Sequence, residues 1–336
     1  MTMTEKVETE RRRVVSQTAF DPYLYHAEMP HTAIFYPLGF PLELATNSRS
    51  VLNAAEESWG FFRQQCDTQP LQLKIGVLED GSTECPDAPV PRSQRGLMVQ
   101  VADRDNFYVS DLIQGFMFGW INTAAASHRG YLRYHFLEPA VLFQIANRFT
   151  TAIHAGCVEL DGRGVLLCGE SGAGKSSLSF ACARAGWTYI TDDASFVVQG
   201  RDDRMVTGNC HILRLRPSAT DLFHEAAGQP ITPRATGKPT IEIRTSEIDG
   251  ITGAPSAKID YIVFLNRSDA DPGGLIRYPA ESARRYLCKH LSDLEELRES
   301  QITLVEKLLE AGVFELRYRD LNRAIDQLER LVRGSI

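Results

Sequence analysis

The sequence predicts an α/β protein in two parts. A smaller α+β domain spans residues 21–149, and a domain of mixed β-sheets flanked by helices runs from 150 to 336. Three observations carry this. An apolar β-type run at 165–168 enters a glycine-rich loop, which leaves as a small-residue helical run at 176–185. Around that unit, short β-branched and aromatic runs alternate with stretches of helical spacing. At Thr150 the chain changes character, from a block without recognisable chemistry to one that gathers glycines, acids and a histidine at short spacing.

Composition sets the bounds. A chain of 336 residues has room for about two domains. With 43 % hydrophobic and 24 % charged residues it can bury an ordinary core. A net charge of −7 argues against general affinity for nucleic acid or membrane surfaces. Seven cysteines without a C-x-x-C pair read as scattered buried thiols, neither a disulfide framework nor a zinc site. The polar N-terminus, with Arg11-Arg12-Arg13, lacks the apolar core of a secretory signal. No apolar run approaches the roughly 18 residues of a membrane span, so a cytoplasmic location is the expectation.

In the first part, residues 1–20 read as a disordered, charged, threonine-rich tail. Short strands are expected at 33–36 and 42–45. Thr46-Asn47-Ser48 should then cap a helix over 50–62, with Val51, Ala54, Ala55 and Trp59 on its buried face. Strands at 71–78, 97–101 and 106–109 flank an exposed loop at 79–95. Ser110-Asp111 reads as the cap of an aromatic helix containing Leu112, Ile113, Phe116, Met117, Trp120 and Ile121. A strand at 131–137 and a helix opened by Pro139 and ending at Arg148 complete this part.

In the second part, a β run at 152–160 turns at Asp161-Gly162-Arg163-Gly164 into a second β run at 165–168. The helix after the loop stops at Gly186, and a strand at 187–191 ends in Asp192-Asp193. Further strands are expected at 195–199, 210–215, 240–244, 261–266 and 313–319. Helical stretches are expected at 217–223, 280–290, 291–311 and 320–332. Residues 224–239, interrupted by glycine and proline, read as a lid-like loop.

The loop itself carries the chemistry. Gly169-Glu170-Ser171-Gly172-Ala173-Gly174-Lys175-Ser176-Ser177 contains G-x-x-x-x-G-K-S between a strand and a helix. Its glycines let successive backbone N–H groups turn toward one phosphate, and the helix beyond adds its positive N-terminal end. Lys175 would neutralise the β- and γ-phosphates, and the Ser176 hydroxyl would ligate Mg²⁺. ATP with Mg²⁺ is therefore the expected cofactor pair. Asp192 and Asp193 stand at a strand end after the loop helix, where a carboxylate can serve the metal and its neighbour can take a proton. His154 precedes the loop on the neighbouring β run.

The run from His154-Ala-Gly, through the loop, to Tyr189-Ile-Thr-Asp192-Asp193 resembles the C-terminal kinase domain of HPr kinase/phosphorylase. The resemblance implies the fold that this family shares with phosphoenolpyruvate carboxykinase, mixed β-sheets around a phosphate loop. It also implies transfer of the ATP γ-phosphate to a hydroxyl. By the same resemblance Asp193 would be the general base, Asp192 and Ser176 would serve the metal, and His154 would sit near the phosphates with Lys175. The likeness is strong over 150–200, fainter toward the C-terminus and absent over 1–149.

Two departures bear on the activity. His211-Ile-Leu-Arg214-Leu-Arg216 aligns with the family segment H-L-L-E-I-R, so Arg214 stands where the family has a glutamate near the metal. The family's later signature loop has no counterpart. HPr is therefore not the expected acceptor, and the likeness is closer to HPr-kinase-like accessories of peptide or small-molecule pathways. Arg214, Arg216 and Lys238 are candidates to stabilise phosphate charge. The sequence leaves three readings: a kinase acting on a serine-like hydroxyl of a protein, peptide or small molecule; a nucleotide-binding regulatory protein without transfer; and an ABC-type ATPase. No L-S-G-G-Q-like segment supports the last. A homo-oligomer stays open.

Overall fold

The computed structural model describes residues 27–233, 237–267 and 273–334, so the tail expected at 1–20 lies outside the described residues. The chain forms two compact units, which meet in sequence between Gln144 and Ile145.

The first unit is built on one seven-stranded sheet. Its strands are β1 (His31–Phe35), β2 (Leu42–Thr46), β3 (Leu71–Leu78), β4 (Val90–Gln94), β5 (Leu97–Val101), β6 (Phe107–Asp111) and β7 (Phe116–Asn122). They lie in the order β1-β2-β3-β7-β6-β5-β4. The helix Arg49–Trp59 starts where the Ser48 side chain accepts from the Ser50 N–H, and it buries Val51, Ala54, Ala55 and Trp59 as its spacing requires.

Three expectations fail in this unit. The aromatic helix over 112–121 is instead a tight turn followed by β7. Asp111 Oδ1 accepts from the N–H groups of Ile113 and Gln114 (2.9 and 3.0 Å), and Gly115 takes φ +75°, which closes a hairpin. The apolar positions fit periods of 2 and 3.6 equally well, and this turn decides between them. Residues 131–137 are helical rather than a strand, within a run that continues through a π-type turn, Arg133–Leu137, into the helix Glu138–Arg148. There the buried Arg133 Nη2 meets Glu138 Oε1 at 3.1 Å, a pairing that a helix permits and a strand does not. The loop expected at 79–95 contains β4, an exposed edge strand.

The second unit contains β8 (Thr150–Ile153), β9 (Ala155–Leu160), β10 (Arg163–Cys168), β11 (Thr188–Thr191), β12 (Ser195–Val198), β13 (Met205–Thr207) and β14 (Ile212–Leu215). It continues with β15 (Ile231–Pro233), β16 (Pro239–Arg244), β17 (Thr252–Gly253), β18 (Ser256–Arg267), β19 (Gly274–Arg277) and β20 (Gly312–Tyr318). The large sheet runs β17-β11-β9-β10-β18-β13-β12-β8, with β20 pairing β18 and β19. A small sheet has the order β14-β16-β15. The chain is thus α/β with mixed sheets and flanking helices, as expected. Within 224–239 the structure places β15 and a short turn at His224–Ala226 where a loop was expected, and residues 234–236 lie outside the described residues.

The central strands are covered on both faces, which is why they read as continuous apolar runs. Val165 and Leu167 of β10 join one core with Leu178, Trp187, Val263 and Leu328. Leu166 and Cys168 join another with Ile190, Ile262, Leu287 and Val305. The helices Lys175–Arg184 and Leu321–Val332 serve the first core, and Ala280–Leu287 and Glu295–Leu308 the second. Among the described residues no helix is long and apolar enough to cross a membrane.

Candidate active site

The site forms because three chain segments reach one end of the large sheet. The β run expected over 152–160 divides at His154: β8 pairs with β12, whereas β9 pairs with β10 and β11. β9 is antiparallel to both neighbours, so β10 and β11 point the same way without touching. In register, Ala155 faces Cys168, and Cys157 faces Thr191. The start of β9 therefore lies between the ends of β10 and β11. His154, Gly169 and Asp192 each sit one residue beyond those ends and so converge. The crevice is not one between adjacent parallel strands; the antiparallel insert is what delivers the histidine. Gly156 permits the close approach, because a Cβ there would stand 2.3 Å from Ser179 Oγ of the loop helix.

The loop is held at both ends by tyrosines from distant elements. Tyr286, on the helix Ala280–Leu287, accepts from the Gly169 N–H at 3.1 Å, and its hydroxyl lies 2.8 Å from the Gly169 carbonyl and 3.0 Å from that of His154. Tyr318, at the end of β20, donates to the Ala173 carbonyl at 2.9 Å. Gly174 takes φ +97°, and a Cβ there would fall 2.5 Å from the Tyr318 hydroxyl, so glycine is required on both counts. The helix Lys175–Arg184 begins at that residue.

Lys175 is buried, and its Nζ donates to the carbonyls of Gly169 (2.7 Å) and Glu170 (3.2 Å). Burial lowers its pKa, opposed by the carboxylate of Asp193 and assisted by the charge of Arg216. Arg216 itself reaches the loop, donating from Nη2 to Ser171 Oγ at 2.8 Å. Ser176 Oγ lies 3.4 Å from the Asp192 carbonyl. The remaining loop residues Gly172 and Ser177 complete the turn into the helix, and Gly172 has open space around it.

The two acids sit in opposite environments. Asp192 is buried; its Oδ1 accepts from the Tyr189 hydroxyl at 2.8 Å, and its Oδ2 has no partner among the described residues. Burial, with the neighbouring Asp193 charge, pushes its carboxyl up to about 6. Asp193 is exposed, with Oδ1 3.4 Å from His154 Nδ1. The same nitrogen lies 3.1 Å from the Asp193 carbonyl oxygen, an acceptor, so Nδ1 carries the proton. Burial, then the charge of Lys175, lowers the His154 pKa, opposed by the charge of Asp193 and the contact with its carbonyl.

Arg214 pairs in register with Glu242 on the small sheet, Nε to Oε2 at 3.2 Å, and its charge acts on Asp192 and Tyr189. A carboxylate thus does occur near position 214, on the facing strand. Lys238 lies exposed beside β16. Tyr286, Tyr318 and Glu242 escaped the sequence reading, and Tyr189 entered it only as part of the run ending in Asp192-Asp193, without a role. Tyr189 stands on β11, three residues before Asp192. Tyr286 and Tyr318 lie 117 and 145 residues from their loop partners, beyond any local pattern.

Hard oxygen donors suit Mg²⁺. The Ser176 hydroxyl and the orphaned, buried Asp192 Oδ2 form such a set, so the residues present fit the ion. Among the described residues no group of three or more His, Cys, Asp or Glu side chains could hold a metal.

No family model matches the chain. HPr kinase/phosphorylases of Bacillus cereus (strain B4264) and Bacillus anthracis (strain A0248) are each 35 % identical to it over 72 residues, which is 20 % of this chain and 23 % of theirs. The chain thus spans about a quarter of the length of the curated relatives it matches, and through that segment it is related to the HPr kinase/phosphorylase family. An HPr(Ser) kinase/phosphatase from Coxiella burnetii aligns over 55 % of this chain and 95 % of its own, at 17 % identity and a TM-score of 0.32.

Proposed function

We propose that this chain is an ATP-dependent kinase that transfers the γ-phosphate to the hydroxyl of a protein, peptide or small-molecule acceptor. The observation that supports it most is the split between two adjacent acids: Asp192 buried with an unpaired oxygen, Asp193 exposed against the His154 ring. One suits a cation, the other a proton.

The loop N–H groups and Lys175 bind the β- and γ-phosphates, and Nζ leaves the carbonyls of Gly169 and Glu170 to do so. Ser176 and Asp192 would hold Mg²⁺, which when bound supplies charge neutralisation to the phosphates. Asp193 takes the acceptor hydroxyl's proton as the new oxygen–phosphorus bond forms and the bond to the ADP oxygen breaks. His154, donating from Nδ1, orients Asp193. Arg216, anchored on Ser171, supplies positive charge beside the loop. An enzyme fed by ATP would work in the cytoplasm.

Arg214 favours a second reading, nucleotide binding without transfer, since it sets a cation where the resemblance calls for a carboxylate. One assay separates them. With radiolabelled γ-phosphate and cell lysate, label on a hydroxyl acceptor that disappears in Asp193→Asn supports the kinase. Binding without any transfer supports the second reading.

A further inference from the structure

The pairing of β11 with β9 carries one irregularity, and it lies just before the acidic pair. Tyr189 faces Val158, but the next residue of β9, Cys157, is met by Thr191, so Ile190 is an extra residue in β11. Side chains of a regular strand alternate, which would send residues 189 and 192 to opposite faces. A bulge resets that alternation. Tyr189 joins the core that holds Val158, whereas Ile190 and Cys157 join the core on the other face. Asp192 is thereby returned to the face of Tyr189, and the tyrosine hydroxyl donates to its Oδ1 at 2.8 Å.

That hydroxyl is pinned from a second side, 3.2 Å from the Ile212 carbonyl on β14. With Tyr189 1 % and Asp192 2 % exposed, neither side chain has room to turn away. Oδ1 is therefore committed. What Asp192 offers is Oδ2, buried without a hydrogen-bond partner among the described residues. Ser176, the other oxygen donor of the site, has its Oγ 3.4 Å from the Asp192 carbonyl. A carboxylate with one oxygen committed can ligate only through the other. Mg²⁺ demands a near-ideal octahedron and is served well by single carboxylate oxygens; Ca²⁺ has a larger, flexible shell and gains from taking both oxygens of one carboxylate.

We propose that Tyr189 sets the cation preference of the site: by holding Oδ1, it makes Asp192 a one-oxygen ligand and selects Mg²⁺ over Ca²⁺. Tyr189 touches no reacting atom and acts through Asp192, so it is a positioning residue. This selection rests on Ser176 and Asp192 holding the cation, as the kinase reading has them, and not on the transfer itself.

Cation binding, read without turnover, tests it. The full chain loaded with a non-hydrolysable ATP analogue is titrated with magnesium chloride and with calcium chloride by calorimetry, and the analogue alone is titrated in the same way. The preference for Mg²⁺ over Ca²⁺ should be roughly tenfold greater in the complex than for the analogue alone, the worth of one charged contact. Tyr189→Phe keeps the ring in the core and removes only the hydroxyl. There the Mg²⁺ dissociation constant should rise roughly tenfold, the usual loss when a group orienting a metal ligand is removed. Ca²⁺ should hold its affinity, because Oδ1 becomes available to it. Equal weakening of both ions would overturn the proposal, since a purely structural tyrosine does that. An equal preference in the wild-type complex and the free analogue would overturn it too, and needs no variant to fold. Should the wild-type complex bind neither ion more tightly than the analogue does, the cation site itself is lost and the kinase reading with it. Tight binding without preference would overturn the selection alone.

Discussion

The Tyr189 hydroxyl stands 2.8 Å from Asp192 Oδ1, while Oδ2 lies buried without a hydrogen-bond partner among the described residues. A carboxylate so placed is costly as an anion and well prepared for a cation. The helix and strand around it are built to keep it there: Tyr189 and Asp192 close one strand end, and the helix starting at Lys175 packs across it. Four consequences can be measured.

The first is a pH dependence. Unfolded, the Asp192 carboxyl ionises near 3.8; folded, it holds its proton up to about 6. The folded state therefore binds more protons between these values. The stabilising contribution is full below about 3.8 and is lost as pH rises through about 6. Its size is on the order of 3 kcal/mol. Urea denaturation without nucleotide or divalent cation, compared with Asp192→Asn, should show the wild type losing stability relative to the variant across that window. A pH-independent difference would refute it.

Lys175→Ala removes the buried cation that the loop carbonyls hold in place. A charged hydrogen bond contributes about 2 kcal/mol, so the ATP dissociation constant should rise roughly thirtyfold. Calorimetry decides this; unchanged affinity would remove the phosphate-loop assignment.

Tyr286→Phe deletes one hydroxyl that meets Gly169 on two atoms and the carbonyl of His154. The ring stays packed against Phe264, with centroids 5.2 Å apart, so the fold should hold. Nucleotide affinity is expected to fall by about 1 kcal/mol, and hydrogen exchange at Gly169 should quicken. Unaltered exchange there would show that the tyrosine does not anchor the loop.

How much of this was legible in the sequence depends on the range of the interactions involved. The strand–loop–helix unit from Arg163 to Arg184 follows from local chemistry, since glycines at forced φ angles and an apolar strand leave few alternatives. Asp192 and Asp193 could be placed at a strand end for the same reason. The aromatic run at 112–121 misled, because its apolar spacing fits helix and strand alike until Asp111 and Gly115 fix the turn. Residues 131–137 misled because an aromatic-rich run, Tyr131 to Leu137, yielded to a helix tied by Arg133 and Glu138. The tyrosines holding the phosphate loop, and the pairing of Arg214 with Glu242, arise only from tertiary packing. No spacing rule reaches them.

Asp193→Asn tests the proposed reaction most directly. The side chain is exposed, so the fold should survive, and it is not placed to bind the phosphates, so ATP affinity should change little. Measured with radiolabelled γ-phosphate and cell lysate, transfer to a hydroxyl acceptor is expected to fall at least about a hundredfold, the usual contribution of a positioned base. Transfer at the wild-type rate, with ATP still bound, would contradict the assignment of Asp193 as the base.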